Sequence, residues 1–246
     1  MSESPRVLLL AGHEPTGRAG LLADMTAVRA MGGIPVAVPT AQTAQGARTF
    51  LTEATPTRVL RAQVAAAREL GPLHAVKLGM VPDPQRLKAI REVLDGVDAW
   101  WVVDPVVRTS RGQQLSSLSV RHYLSLASPS VVLTPNLDEA AWLLGLPSVS
   151  TVEEAAEAGR ALVARGFGAV LVKGGHREQG AVDVLCMPGR TRLLTGKRLR
   201  RSPERRGTGC RLASALAVEL GRGSSMEAAA RRAKAHVVHY LRTGEG

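Results

Sequence analysis

The sequence predicts an α/β protein, a three-layer α/β/α fold around a central, mostly parallel sheet. Short apolar runs such as Arg6–Leu10 (RVLLL), Ala75–Leu78, Val131–Thr134 and Ala169–Lys173 read as strands buried on both faces. Segments with apolar residues at helical spacing alternate with them, the order expected of parallel βαβ units. Most of the runs also end in a glycine or a polar residue, and open sheets of this class bind ligands beyond the carboxyl ends of their strands.

Arg6–Leu10 leads through Ala11-Gly12 into a glycine-rich loop, His13 to Gly20, which opens a helix from Leu21 to Met31. The loop is neither the dinucleotide Gly-x-Gly-x-x-Gly nor a Walker loop, because no Gly-Lys-Ser/Thr follows. Asp24, on the first turns of the helix, can reach back towards the loop or lie on a solvated face. Ile34 to Val38 is the second strand and runs into Thr40–Gly46, an amide-rich stretch. That stretch suits hydrogen bonding to a heterocycle's ring nitrogens and amino group, or it is an edge strand with a solvated face. A helix follows from Thr57 to Leu70, between Pro56 and Gly71-Pro72. The strand Ala75–Leu78 leads to Gly79-Met80, and Asp83-Pro84 starts a helix to Leu94.

The strand Ala99–Val103 ends in Asp104-Pro105, an acid at the site face, where carboxylates can organise Mg²⁺. A helix near Leu118–Ala127 precedes the strand Val131–Thr134, and Thr134-Pro135-Asn136-Leu137-Asp138-Glu139 opens the next helix. Asn136 and Glu139, three apart, share a helical face and can hold a hydrated Mg²⁺ through outer-shell contacts. Equally, Asn136 can be the N-cap and Glu139 its capping-box partner. After a helix from Val152 to Arg165, the strand Ala169–Lys173 ends in Lys173-Gly174-Gly175-His176. Val182–Met187 and Arg192–Leu194 form a hairpin about Pro188-Gly189.

Arg206-Gly207-Thr208-Gly209-Cys210 then opens a strong helix-forming run. Glycines that turn N–H groups inward, with the free donors of a helix's first turn, make an anion cradle. Cys210 at that helix start is expected to have a lowered pKa and to serve as a proton acceptor. The plain alternative is a tight turn followed by a buried cysteine. A helix from Met226 to Leu241 closes the fold.

Composition narrows the class. The chain has 246 residues, a net charge of +11 and two cysteines, at 186 and 210, which give neither a disulfide framework nor metal-ligand spacing. No stretch approaches about 18 apolar residues and no charged leader precedes a long apolar run, so a cytoplasmic protein without membrane contact is expected. Repeats and long linkers are absent, and residues 1–246 read as one domain. The densest basic cluster, Lys197–Arg201 with Arg205-Arg206, has no interleaved aromatics for base stacking. Nucleic acid is therefore not the expected partner.

In this order the segments resemble the ribokinase-like superfamily, and within it the hydroxymethylpyrimidine/phosphomethylpyrimidine kinases of thiamin biosynthesis. The resemblance lies in Ala11–Asp24 (AGHEPTGRAGLLAD), Thr40–Gln45, Val76–Met80 (VKLGM), Asp104-Pro105-Val106, Thr134–Glu139, Val172–His176 and Gly207–Cys210. It implies an ATP- and Mg²⁺-dependent kinase acting on a pyrimidine hydroxymethyl group, and a homodimer. By the same resemblance Gln45 would bind the aminopyrimidine, Gly12 and Met80 would line its pocket, and Asp24 would be a supporting polar contact. Asn136 and Glu139 would manage Mg²⁺ and phosphates, with Asp104 nearby. Lys173 would neutralise the transferring phosphoryl group, Gly207, Thr208 and Gly209 would cradle it, and Cys210 would be the base.

Departures from the family pattern cluster at the acceptor end. Glu14-Pro15-Thr16-Gly17-Arg18 stands where Asp-Pro-Ser-Gly-Gly is usual, and Gly46 where Asn is usual. Arg111 replaces Ser, and Arg206 replaces the His before Gly-Thr-Gly. Two alternatives follow: a pyridoxal-type kinase, which shares the nucleotide-end residues, and a paralogue that binds a pyrimidine or phosphate without turnover.

Overall fold

The spine of the sheet is β1 (Arg6–His13), which pairs in parallel with β2 (Ile34–Gln45) on one side and β4 (Ala75–Leu78) on the other. The computed structural model describes residues 4–46, 48–109, 112–174, 182–196 and 205–245. Among them a nine-stranded sheet continues outward from β4 through β5 (Trp100–Val103), β6 (Val131–Leu133) and β7 (Ala169–Val172), all parallel. Antiparallel strands close both ends: β3 (Phe50–Ala54) beside β2, and the hairpin β8 (Asp183–Met187) and β9 (Arg190–Leu194) beside β7.

Side-chain alternation along β1 builds two cores. Leu8 and Leu10 point to one face and Val7 and Leu9 to the other, as a strand's period of two requires. On the first face they meet Leu60 and Val64 of α2 (Thr57–Glu69), Ile90 of α3 (Pro84–Val93), Leu143 of α5 (Leu137–Leu144) and Leu162 of α6 (Val152–Val163). The short α4 (Val120–Leu124) packs there through Tyr123. The second face is covered by α1 (Gly20–Ala30), α7 (Thr208–Gly221) and α8 (Met226–Thr243). Residues 211–220 of α7 are all buried, the mark of a helix in the core rather than on the surface. This helix is thus held by packing on every side.

Helix starts follow the chemistry of their caps. Asp83 accepts from the Arg86 N–H with Pro84 at the first helical position, and Thr151 and Glu154 form a reciprocal capping box. Most elements fall within a few residues of their expected places. Three differ. The second strand does not stop at Val38 but runs to Gln45, because Ala41–Gln45 find ladder partners in β3, a strand the sequence reading lacked. The helix expected over 118–127 is confined to Val120–Leu124, where the Ser119–His122 cap begins it late. Among the described residues no helix is long and apolar enough to cross a membrane. Arg111, Gly175, His176 and the cluster Lys197–Arg201 lie outside the described residues.

Candidate active site

Two strand ends and one helix start bring the charged groups together. Asp104 follows β5 directly, and Lys173 follows β7 and is bridged in parallel to Asn136 at the end of β6. The Lys173 ammonium lies 2.7 Å from Asp104 Oδ1 and 3.8 Å from Glu139 Oε2. Thr134 Oγ1 donates to the same Asp104 oxygen at 3.4 Å. Burial alone would push Lys173 down, but Asp104 and then Glu139 overcome it and hold the ammonium above its usual range. Burial pushes the Glu139 carboxyl up to about 7 against the pull of Lys173. Asp183 fixes the segment beyond Lys173: it accepts from the Gly174 N–H at 2.8 Å and pairs with Lys234 at 2.7 Å.

Asn136 and Glu139 form the reciprocal capping box: each side chain accepts from the other's backbone N–H at 2.8 Å. The cap and the site are one object here. The same Glu139 oxygen that caps the helix faces Lys173, so the lone pairs left over suit contact through water.

The start of α7 lies against this cluster. A Cβ built on Gly209 would stand 3.2 Å from Lys173 Nζ and 3.7 Å from Asp104 Oδ2. Gly207 is the N-cap, in the left-handed region at φ +78°, and a Cβ there would fall 2.2 Å from the Arg18 carbonyl oxygen. Only glycine lets the first loop and the helix start approach so closely. The first-turn N–H groups of α7 point out of the helix, free for an anion. The Arg18 side chain itself is exposed.

Cys210 sits in that first turn, and its pKa is not lowered as the sequence suggested. Burial pushes the thiol up, outweighing the pull of Lys77 and a hydrogen bond from the Gly20 N–H; Asp24 and Asp104 push the same way as burial. A helix start acts through partial charges, and desolvation of a thiolate exceeds them here.

Asp24 also differs from its expected place. Its carboxylate is fully buried, paired with the equally buried Lys77 at 2.7 Å and accepting from Ser214 Oγ at 2.8 Å. With both oxygens engaged and no exposed surface, it supports α7 from beneath rather than offering itself to a ligand. Lys77 and Ser214 are partners of Asp24 that the sequence does not single out. A lysine inside the four-residue buried strand Ala75–Leu78 was the available signal, since a cation there requires an acid.

The uncharged part of the site lies at the ends of β1 and β2. Met80 Sδ would be 3.3 Å and the Thr43 methyl 3.5 Å from a Cβ on Gly12, so these three line one space. Met80 packs there with Ala41, Leu115 and Val106. Gln45 Nε2 donates to Thr43 Oγ1 at 3.3 Å, and Arg206 Nη2 donates to Gln45 Oε1 at 2.7 Å.

Comparison with known proteins identifies the family and the fold. The family model described as "Phosphomethylpyrimidine kinase" matches residues 14–245. A hydroxymethylpyrimidine/phosphomethylpyrimidine kinase from Streptomyces coelicolor is 36% identical over 243 residues, covering 98% of this chain and 90% of that one. Among solved structures, the phosphomethylpyrimidine kinase from Clostridium difficile superposes with a TM-score of 0.81 at 28% identity, covering 97% of this chain and all of the other. The pyridoxal kinase from Staphylococcus aureus in complex with AMP-PCP superposes with a TM-score of 0.88 at 26% identity, covering 98% and 89%.

Proposed function

The chain belongs to the phosphomethylpyrimidine kinase family, and we propose that it phosphorylates the hydroxymethyl group of 4-amino-5-hydroxymethyl-2-methylpyrimidine, and that compound's monophosphate, with ATP. It is a phosphotransferase, and the observation that carries the reading is Lys173 set between Asp104 and Glu139 against the glycine start of α7.

In this reading the acceptor's hydroxymethyl oxygen attacks the γ-phosphorus of ATP. The bond from that phosphorus to the β–γ bridging oxygen breaks, and the hydroxyl proton passes to Cys210. Lys173 and the N–H groups of Thr208 and Gly209 face the oxygens on which negative charge accumulates. Lys77, the strongest charge pulling the Cys210 thiol down, favours the thiolate that must take the proton. Gly12, Met80 and Gln45 hold the pyrimidine, while Asp24 acts through Lys77.

Mg²⁺ fits the donor set. The carboxylates of Asp104 and Glu139 are hard oxygen ligands, and among the described residues no three His, Cys, Asp or Glu converge as a cage. The ion would be shared between these carboxylates, Asn136, water and the nucleotide, and when bound it supplies charge neutralisation on the phosphates. The reading extends to one kinase domain over residues 1–246, working in the cytoplasm. It also includes a homodimer, supported by Phe50 and Leu51 exposed on the edge strand β3 and decided by sedimentation.

The test is ADP release by the purified protein with ATP, Mg²⁺ and the hydroxymethylpyrimidine, pyridoxal or no acceptor. Release that depends on the pyrimidine is expected, with Cys210→Ala lowering kcat by about 10²–10⁴-fold. Faster release with pyridoxal would overturn the substrate, and an unaffected Cys210→Ala variant the mechanism.

A further inference from the structure

A hydrogen-bonded chain of fixed direction runs into the acceptor space. Arg206 Nη2 donates to Gln45 Oε1 at 2.7 Å, Gln45 Nε2 donates to Thr43 Oγ1 at 3.3 Å, and Thr43 Oγ1 donates to the His13 carbonyl at 3.2 Å. The two ends of a carboxamide have nearly the same shape, so chemistry must decide which is which. A guanidinium has donors and no acceptor, so the end of Gln45 facing Arg206 must be the carbonyl. The chain's other terminus is a backbone carbonyl, which only accepts. Every bond between them is therefore polarised one way, with the amide NH₂ of Gln45 directed to Thr43, whose methyl lines the space beside Gly12 and Met80.

Arg206 is well held for this task. Its own carbonyl accepts from the Tyr240 hydroxyl at 3.2 Å, and Tyr240 is buried on α8 with the Arg211 guanidinium 3.9 Å from its ring centre. No carboxylate of the described residues lies within 4.0 Å of the Arg206 guanidinium to compete for it. A contact between residues 161 apart in the chain is thus committed to orienting one amide.

We propose that Arg206 is a positioning residue that fixes which end of the Gln45 carboxamide meets the acceptor, so that the site selects heterocycles presenting an unprotonated ring nitrogen. The proposal rests on the kinase reading in placing the acceptor against Gln45. The NH₂ group keeps one hydrogen beyond the one given to Thr43, and that hydrogen needs an acceptor. An aminopyrimidine supplies one at the ring nitrogen beside its amino group. The corresponding 4-oxo compound carries N–H at that position, and two donors would face each other.

The experiment measures binding of 4-amino-5-hydroxymethyl-2-methylpyrimidine and its 4-oxo counterpart by calorimetry, which needs no turnover. ADP release with the amino compound is followed in parallel and reports on the kinase reading separately. The wild type is expected to prefer the amino compound by about tenfold or more. Arg206→Met frees the amide to rotate and should bring the two affinities together, acting on KM rather than kcat. Gln45→Glu has acceptors only and should reverse the preference. Melting curves identify any variant that does not fold, and the Gln45→Glu reversal then stands on its own. A wild type that binds neither compound, an unchanged ratio in folded Arg206→Met, or no reversal in Gln45→Glu overturns the proposal. Absence of ADP release with the binding preference intact would instead overturn the kinase reading.

Discussion

The two ends of the site are built differently. At the proposed phosphoryl end, Asp104 and Lys173 directly follow β5 and β7, and Asn136 and Glu139 lie where β6 leads into α5, so the sheet's own register brings them together. At the proposed acceptor end the decisive contact crosses the fold: Arg206 to Gln45 spans 161 residues. The first arrangement changes only if the sheet changes. The second depends on single side chains and can be altered one residue at a time. In the proposed reading, chemistry common to many phosphoryl transfers thus rests on backbone register, whereas discrimination among acceptors rests on a replaceable side-chain pair.

The sharpest way to break that division is Lys173→Met. It removes the cation from the phosphoryl end with little change in side-chain length, and kcat should fall by about 10³-fold. Pyrimidine affinity measured without nucleotide should stay within about twofold. An equal loss in both would mean that the two ends are not separable.

Gly207 joins the two ends, since the Arg18 carbonyl of the first loop presses on it. Gly207→Ala combines a left-handed backbone with a clash against main chain, and a loss of about 2–4 kcal/mol in denaturant unfolding is expected. Gly189→Ala is the control. Its φ is +68°, but nothing lies within 4 Å of the new Cβ, so only the backbone cost of about 1 kcal/mol should appear. Similar losses in the two variants would show that the loop yields and that the approach at Gly207 costs nothing.

The same division explains what was legible in the sequence. Buried strands, the Asn136–Glu139 pair and the glycine cradle are local patterns, and the backbone follows them. In the Asn136–Glu139 case the capping-box reading is borne out, and the carboxylate that caps the helix also faces Lys173. β3 was missed because its residues earn no strand signal alone; Phe50–Ala54 become a strand by pairing with the far half of β2. Asp24 was misplaced because a helix-face carboxylate gives no hint of a lysine 53 residues away. Arg206 was visible as a departure, but its partner was not.

The smallest effect lies in the titration of Cys210, where local and long-range influences oppose one another. The helix start is the local influence and would lower the thiol pKa. Burial is the tertiary influence, and it raises the thiol above its ordinary range with Lys77 as the main opposing charge. Alkylation by iodoacetamide, followed at Cys210 by mass spectrometry, should therefore keep accelerating with pH beyond the point where a free cysteine levels off. Removing Lys77 alone would strand a buried carboxylate, so the informative variant is Asp24→Asn with Lys77→Met, which takes out both charges together. Because the pull of Lys77 exceeds the push of Asp24, the midpoint should move further up in the double variant. A midpoint below the ordinary range in the wild type would mean that the helix start outweighs burial. A double variant that titrates like the wild type would mean that the buried pair supports α7 mechanically and leaves the thiol alone.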